Sequence, residues 1–488
     1  MKKQKIRKIN NIRKKINKGR AINRNILKVS VFVSIVFFAL MVYLCCFLTF
    51  DASSVINNSY NRRSDTLTQT VKRGSILASD DSVLAYSEID SNGEENRIYP
   101  YGRVFAHVVG FNVYGGLGLE SSYNYYLLTS HTDMFQKIAD EFKQEKSPGD
   151  SIKTTLDTDL QEFVYDILNF DGAIVCMNPD TGEIYAMVSK PDFDPNYISD
   201  DWDSIVSDES NSCLLNRTCQ GLYTPGSTFK IFTLYEYYLE NKDDISSFKY
   251  DCSGSINVGD TSISCINNTA HGEESIEEAF ANSCNCAFSY ITAGLNIDSL
   301  KETAENLLFD TDLPVDINSY KSIFSLTASD SEFDIMATGI GQGDTLCSPM
   351  HLAMVIAAIA NDGICMKPYL VSGIQNSSGD TIKTFRSEQY KTLFSQEEAA
   401  FLKSCLRKVI TEGTSTILYP GNFVAYGKTG TAQVEDSING EYDHSWFVGW
   451  AENNENKLAV SIIIENMEEA STYASYLAKE IFDHYFNY

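Results

Sequence analysis

Three short groups of residues combine hydroxyl, amine or amide side chains at spacings that could support acyl transfer. The first is "YTPGSTFK", in which Ser227, a potential nucleophile, stands three residues before Lys230, a potential base. At this spacing the two side chains share one face of a helix and can touch. The start of a helix also presents free backbone N–H groups, which could stabilise an oxyanion that forms at Ser227.

A serine three residues before a lysine is nevertheless a weak signal, because the chain contains a second such pair, Ser246 and Lys249. Ser227 differs in its context. Pro225 and Gly226 predict a turn just before it, which places Ser227 at the start of a helix. These residues alone leave two interpretations open: a nucleophile with its base, or a helix-capping serine with a solvated lysine.

The second group is Ser283-Cys284-Asn285, which separates two helical patterns. The helix before it is predicted to open with a capping box formed by Ser275 and Glu278. Side chains two residues apart in such a tight loop can project into one cleft. Serine and asparagine are also common turn residues, so a purely structural role stays open.

The third group, Lys428, Thr429, Gly430 and Thr431, lies in a strand-like run. Glycine is unfavourable in a strand unless another backbone has to approach it closely. A cation and two hydroxyls along an accessible strand edge could bind an extended peptide and its carboxylate. A hairpin strand with an incidental lysine is the alternative.

The elements that must position these groups are predicted to form an antiparallel sheet covered by helices. "GAIVCM" and "EIYAMVS" predict a hairpin, and "NFVAYGKTGTAQV", "HSWFVGWAEN" and "KLAVSIIIEN" predict three successive strands. Helices are predicted over Asp159–Leu168, over much of the intervening chain, and from Ser471 to about Phe486. The fold class predicted is therefore α+β.

The N-terminus predicts a membrane anchor. Residues 1–28 contain twelve Lys and Arg and no acidic residue, and residues 29–50 contain no charge over a length that spans a bilayer as a helix. The basic flank favours an uncleaved signal anchor with a cytoplasmic tail and the remaining chain outside. A cleaved signal peptide and a buried soluble helix are the less favoured alternatives. We place a small membrane-proximal domain at 51–150 and the catalytic domain at 151–488.

The charge of the chain argues against a nucleic-acid partner. The net charge is −26, and because the first 28 residues carry +12, the rest of the chain carries −38. A strongly acidic domain repels nucleic acid.

Of the twelve cysteines, ten lie outside the predicted membrane span, where disulfides are allowed but not compulsory. Cys252 and Cys265 flank a hairpin-like segment and are the best candidate pair, and Cys213 with Cys219 is a weaker one. The sequence does not decide between bridges and free thiols.

A metal site made of Cys252, Cys265, His271 and Cys284 is conceivable, but the spacing matches no zinc pattern. We therefore predict no metal and no cofactor.

The order of the three groups resembles the motif triplet of penicillin-binding proteins and serine β-lactamases. "YTPGSTFK", "SCN" and "GKTGTAQ" are similar to those of the class B penicillin-binding proteins, which are membrane-anchored transpeptidases. "AIVCMNPDTGEIYAMVSKPDFDPN", "GIGQGDTLCSPMHLAMVIAAIANDG", "VKRGSIL" and "GLGLESSYN" extend the resemblance over most of residues 60–470. "ASDDSVLA" and the short membrane-proximal region depart from the family pattern and leave the subgroup and its docking partners open.

The resemblance implies peptidoglycan cross-linking. Ser227 would attack the carbonyl between two D-alanines of a stem peptide, giving an acyl-enzyme and free D-alanine. Lys230 would be the general base, and Ser283 would relay a proton to the leaving amine. An amine on a neighbouring stem would then resolve the ester.

The resemblance also implies the binding residues. Asn285, which would hold the substrate amide, and Lys428 count among the catalytic residues. The substrate-binding stretch Thr429, Gly430 and Thr431 would take the terminal carboxylate beside Lys428. The backbone N–H groups of Ser227 and Thr431 would form the oxyanion hole.

The partners implied are stem peptides, β-lactams, the membrane and a membrane-embedded glycosyltransferase. The alternatives are a D,D-carboxypeptidase and a non-catalytic envelope scaffold. A β-lactamase is less consistent with a membrane anchor and pedestal. A β-lactam sensor would need a cytoplasmic effector domain.

Overall fold

The structure is a computed structural model that describes residues 2–47, 63–143, 145–208, 212–436, 440–454, 456–467 and 473–487. The chain separates into two compact units, Met1–Arg63 and Ser64–Tyr488.

The helices of the described residues are α1 (Lys2–Cys46), α2 (Arg63–Thr70), α3 (Ala106–Val109), α4 (Gly118–Ser122), α5 (Asn124–Leu127), α6 (Met134–Lys143), α7 (Thr158–Ile167), α8 (Ile198–Ser207), α9 (Lys230–Glu240), α10 (Ile276–Ala281), α11 (Asn285–Gly294), α12 (Ile297–Asn306), α13 (Glu332–Thr338), α14 (Pro349–Ala360), α15 (Gln396–Thr411) and α16 (Tyr473–Asn487).

The strands of the same residues are β1 (Val71–Lys72), β2 (Ile76–Leu77), β3 (Val83–Ile89), β4 (Glu95–Ile98), β5 (Ser147–Pro148), β6 (Ser151–Thr154), β7 (Gly172–Met177), β8 (Ile184–Lys190), β9 (Tyr250–Cys252), β10 (Ser255–Val258), β11 (Thr261–Ser264), β12 (Gly272–Glu274), β13 (Ile364–Met366), β14 (Val371–Gln375), β15 (Thr381–Thr384), β16 (Gln389–Thr392), β17 (Val424–Asp436), β18 (Gly440–Glu452) and β19 (Lys457–Met467).

The first unit contains the predicted membrane helix. Within α1, the segment Ile26–Cys46 has a mean hydropathy of 2.6 and no buried residue in its most apolar stretch, and it is long and apolar enough to cross a membrane. It overlaps the predicted span of 29–50, of which residues 48–50 lie outside the described residues. The described part of the chain thus has an N-terminal helix suited to membrane anchoring.

The second unit is built on a five-stranded antiparallel sheet in the order β17-β18-β19-β7-β8. In β7, Ala173 and Val175 belong to the core that contains the fully buried helix α14, whereas Ile174 and Cys176 belong to the core that contains α16. Strands alternate in this way when both faces are covered by helices. The predicted α+β class with an antiparallel sheet under helices is confirmed.

A second sheet of six strands has the order β15-β14-β6-β2-β3-β4. In it β2 pairs in parallel with β6, and β6 pairs antiparallel with β14. Strands from both sides of residue 150 therefore share backbone hydrogen bonds in one sheet.

Two motifs of the membrane-proximal region meet in a buried ion cluster. Arg73 of "VKRGSIL" donates from Nε to Glu120 of "GLGLESSYN" at 2.5 Å, and Arg97 Nε donates to the other carboxylate oxygen at 2.6 Å. The two cations offset the burial of Glu120 and keep its pKa low. The ion cluster thus holds together the two motifs, which are far apart in sequence.

Candidate active site

Ser227 lies half-buried on a tight turn that leads into helix α9. The turn, Gly226–Phe229, is a short 3-10 helix, and α9 begins at Lys230. Gly226 has φ of 53°, and a Cβ on it would lie 2.4 Å from the carbonyl oxygen of Thr431. Only glycine fits, because the turn presses against the strand that carries Thr431.

The aromatic residues that follow Ser227 belong to the core. Phe229 and Phe232 are fully buried and stack on each other with centroids 5.1 Å apart. They anchor the turn and the start of α9, so this run is helix core rather than a binding surface.

Lys230 is completely buried and points at the loop between α10 and α11. Its Nζ donates to the carbonyl oxygen of Ser283 and to Asn285 Oδ1, both at 2.7 Å, and lies 3.3 Å from Ser283 Oγ. Burial lowers the pKa of Lys230 to about 8. At pH 7 roughly a tenth of this amine is then neutral, and a neutral amine that donates two N–H bonds keeps its lone pair for a proton.

Ser283 occupies the left-handed region of the backbone map with φ of 56°. The helix before it opens with the predicted capping box of Ser275 and Glu278. The helix after it is capped by Cys284, whose sulfur accepts from the Ala287 N–H. Two well-capped helices thus fix the turn that presents Ser283 and Asn285.

Lys428 is the second lysine that contacts Ser283. It is fully buried in β17, and its Nζ donates to Ser283 Oγ at 2.9 Å and to the Thr429 carbonyl oxygen at 3.1 Å. Burial and the nearby charge of Lys230 hold the pKa of Lys428 well below its usual range. One hydroxyl therefore connects two buried lysines.

The remaining residues of the third motif follow Lys428 along β17, which forms an edge of the five-stranded sheet. A Cβ on Gly430 would lie 2.9 Å from Thr228 Cγ2 and 3.0 Å from Trp446 Cβ. This is the close approach that the strand glycine predicts. Thr429 is buried and shares a 2.6 Å hydrogen bond with Thr414, whereas Thr431 is half-buried.

The structure brings all three predicted groups together and separates them from the second serine–lysine pair. Ser246 and Lys249 are exposed at a short turn after α9. In the described part of the chain the hydrogen bonds of Lys230 go to the Ser283–Asn285 loop, and none goes to Ser227. The predicted direct contact between Ser227 and Lys230 is thus not a hydrogen bond in this structure.

Sequence reasoning missed two supporting residues. Thr414 orients the Thr429 hydroxyl, and Trp446 donates from Nε1 to the Thr224 carbonyl oxygen at 3.1 Å, which ties β18 to the nucleophile turn. No local pattern marks either residue, because each acts on a segment distant in sequence.

A cavity of about 580 Å³ begins beside the motif residues. Its lining includes Asn285 from the second motif and Gln433 from β17, together with Ser264, Thr338 and Asp344. A space of this size can hold a peptide segment or a small ligand beside Asn285 of the second motif.

Gly226→Ala is expected to slow acylation of Ser227 by on the order of 10²-fold, because the new Cβ forces the turn away from Thr431. Gly259→Ala is a matched control: Gly259 has φ of 58°, but nothing lies within 4 Å of its Cβ position. Penicillin labelling rates of the two variants measure the difference. Equal rates would show that the contact with Thr431 is dispensable.

Comparison with known proteins gives the same class of fold and site. The family model for the penicillin-binding protein transpeptidase domain matches residues 172–487, and the model for the penicillin-binding protein A dimerisation domain matches residues 73–152. The chain belongs to the penicillin-binding protein transpeptidase family, and its resemblance to the class B members is confirmed.

Among its relatives is the peptidoglycan D,D-transpeptidase PbpA of Mycolicibacterium smegmatis, which is 29% identical over 474 residues, covering 91% of this chain and 94% of the relative. The D,D-transpeptidase domain from Eggerthella lenta superposes with a TM-score of 0.76 at 28% identity, covering 86% of this chain and 99% of that one. Penicillin-binding protein A from M. tuberculosis, solved as an imipenem acyl-enzyme, gives a TM-score of 0.77 at 26% identity with the same coverage.

Proposed function

We propose that this chain is a peptidoglycan D,D-transpeptidase that uses Ser227 as its nucleophile and is acylated at the same residue by β-lactams. The observation that carries the assignment is the meeting of two buried lysines, Lys230 and Lys428, on the hydroxyl of Ser283 beside the Ser227 turn. Relatives that are named D,D-transpeptidases and acyl-enzyme structures of similar proteins support the proposal.

In the acylation step, neutral Lys230 takes the proton of the Ser227 hydroxyl as its oxygen attacks the carbonyl between two D-alanines. A tetrahedral oxyanion forms, and the backbone N–H groups of Ser227 and Thr431 stabilise it. The C–N bond then breaks as Ser283 gives its proton to the leaving amine, and Ser283 regains a proton from protonated Lys230, whose Nζ lies 3.3 Å from its Oγ. D-Alanine departs. The acyl group remains on Ser227 as an ester.

The terminal carboxylate of the donor peptide binds beside Lys428. The hydroxyls of Thr429 and Thr431 on the edge strand donate to it, and the Gly430 backbone lies between them. Asn285 both accepts from Lys230 and lines the cavity, so it can hold the substrate amide while it orients the base. An extended peptide would add along β17 by strand pairing.

The ester is resolved when the amine of a neighbouring stem attacks the acyl carbonyl. A new amide forms, the Ser227 oxygen leaves and regains its proton, and two stems are cross-linked. β-Lactams enter the same first step, but their opened ring stays attached to Ser227.

The arrangement in the envelope forms part of the proposal. The basic residues before the apolar helix favour a cytoplasmic N-terminus with the catalytic part outside. We place the boundary between the pedestal, residues 51–150, and the catalytic domain, residues 151–488, at the start of β6. A transpeptidase has to act on strands supplied by a polymerase, so a membrane-embedded glycosyltransferase is the partner expected.

The test uses the full chain in detergent and a fluorescent penicillin. We expect a stable covalent label, and peptide mapping is expected to place it on the peptide that contains Ser227. Incubation with a D-Ala-D-Ala stem peptide and a D-amino-acid acceptor should yield the exchanged peptide and free D-alanine. A label on another residue, or rapid hydrolytic release of the label, would contradict the proposal.

A further inference from the structure

Four potential metal ligands converge directly behind the Ser283–Asn285 turn. The ligand atoms of Cys252, Cys265, His271 and Cys284 all lie within 4.8 Å of one another. The three cysteines are buried and the histidine is half-buried. In the described residues, none of the three forms a disulfide, and no step of the proposed acyl transfer uses any of the four.

The sulfur separations match those of a tetrahedral zinc site. Cys265 Sγ lies 3.7 Å from Cys252 Sγ and 3.8 Å from Cys284 Sγ. With Zn–S bonds of about 2.3 Å, a tetrahedron places neighbouring sulfurs about 3.8 Å apart. A disulfide needs sulfurs about 2.05 Å apart, so the side chains as they stand are arranged for a shared ion rather than for a bridge.

The backbone brings these ligands together through long-range pairing. The hairpin β10–β11 closes with Ser255 opposite Ser264, so Cys252 and Cys265 lie on its two open ends. Strand β12 pairs with β9 and places Gly272, the neighbour of His271, opposite Cys252. Four separate segments supply one ligand each, which explains why the spacing matches no zinc pattern and why no metal was predicted.

Polar groups around the cluster orient two of its ligands. Cys284 caps helix α11, and its sulfur accepts the Ala287 N–H at 3.4 Å. His271 Nδ1 and Glu274 Oε2 are 3.9 Å apart, and both are buried without a hydrogen-bond partner in the described part of the chain. A carboxylate beside a ligating imidazole orients the ring in many zinc sites.

The cluster is connected to the catalytic residues by two short links. Cys284 stands between Ser283 and Asn285 in the turn that holds Lys230. Asn285 Nδ2 also donates to the carbonyl oxygen of Ser264, the residue before Cys265, at 2.8 Å. An ion that joins Cys265 to Cys284 would therefore fix the backbone just before Asn285 and also the carbonyl group that accepts from its side chain.

We propose that Cys252, Cys265, His271 and Cys284 bind one Zn²⁺ ion, and that this ion positions the Ser283–Asn285 turn for acyl transfer. Binding releases one proton from each of the three thiols, and the neutral imidazole completes a tetrahedral site with a net charge of −1. No oxidation or reduction takes place. The ion positions the catalytic turn and does not touch the substrate.

The first test measures metal content in the full chain, purified without chelators under mild reduction. We expect about one Zn²⁺ per chain by elemental analysis, and Co²⁺ in its place should give the visible bands of tetrahedral thiolate coordination. Cys252→Ser and His271→Ala should each lower the metal content severalfold. Cys286→Ser is the matched control, because Cys286 lies 3.5 Å from Cys265 but outside the four ligands.

Several outcomes would overturn the site. Metal-free protein with a Cys252–Cys265 disulfide in an unreduced peptide map would replace it with a bridge. Loss of metal in Cys286→Ser but not in Cys252→Ser would overturn the ligand set. Metal content equal in His271→Ala and wild type would remove the histidine from it.

The positioning role rests on the proposed function and has its own readout. Removal of the ion by a chelator should slow penicillin acylation by on the order of 10²-fold, and added Zn²⁺ should restore the rate. An unchanged rate in metal-free protein would overturn the positioning role and leave the site intact. A zinc-loaded wild type that no penicillin acylates would instead contradict the proposed function.

Discussion

Ser227→Ala is expected to abolish covalent labelling by penicillin, with a fall in acylation rate on the order of 10⁵-fold or more. The substitution removes only the hydroxyl, and without its oxygen no acyl ester can form at this residue. Ser227 is half-buried on its turn, and the alanine methyl fits the space that the serine Cβ already occupies. The fold and the thermal unfolding temperature should therefore stay close to wild type.

The chain offers a matched control for this result. Ser246 begins the second serine–lysine pair, but it is exposed and distant from the buried lysines. Ser246→Ala should be labelled at the wild-type rate. Labelling that survives Ser227→Ala and disappears in Ser246→Ala would reverse the assignment of the nucleophile.

Lys230→Met is expected to slow acylation by about 10²- to 10⁴-fold, the usual contribution of a general base. Methionine fills a similar volume, but it leaves the Ser283 carbonyl oxygen and Asn285 Oδ1 without the Lys230 donor, which should lower stability by about 1–3 kcal/mol per acceptor. A thermal unfolding curve of the variant therefore accompanies the rate measurement. Burial is the main cause of the low pKa of Lys428, and the substitution removes only the second cause, the nearby charge of Lys230. Substrate binding through Lys428 should persist, so the loss should appear in the acylation rate constant more than in affinity.

Lys249→Met is the control for Lys230→Met, because Lys249 is exposed at the second serine–lysine pair. It should acylate at the wild-type rate under stopped-flow conditions. A Lys230→Met rate within about threefold of wild type would assign the proton transfer to another group, and Lys428 would be the first candidate because it also contacts Ser283.

The sequence predicts most of the sheet and the motif residues because both depend on local patterns. Alternation in "GAIVCM" predicts a strand, and the structure places Val175 and Ile174 in different cores. The strand glycine at Gly430 predicts a close neighbour, and Thr228 and Trp446 are those neighbours. In both cases the sequence pattern lies within a few residues of the strand or glycine that it predicts.

The unpredicted features all depend on contacts between distant segments. Thr414 reaches Thr429 from the loop after α15, and nothing around "TEGTST" marks a site residue. The sequence made a group of Cys252, Cys265, His271 and Cys284 conceivable but not expected, because its proximity depends on the pairing of β9 with β12 and on the β10–β11 hairpin. A single sequence gives no register for short strands such as these, so their side-chain neighbours cannot be derived from it.

The six-stranded sheet has a consequence for any attempt to divide the protein. A fragment that starts at residue 151 keeps β6 beside β14 but loses β2, the parallel partner on the other side of β6. The N–H and C=O groups of Ile152 and its neighbours would then form an unpaired sheet edge, and such edges pair with strands of other molecules. The region before residue 150 therefore covers an edge of the catalytic part, and a fragment that keeps both partners of β6 has to include β2.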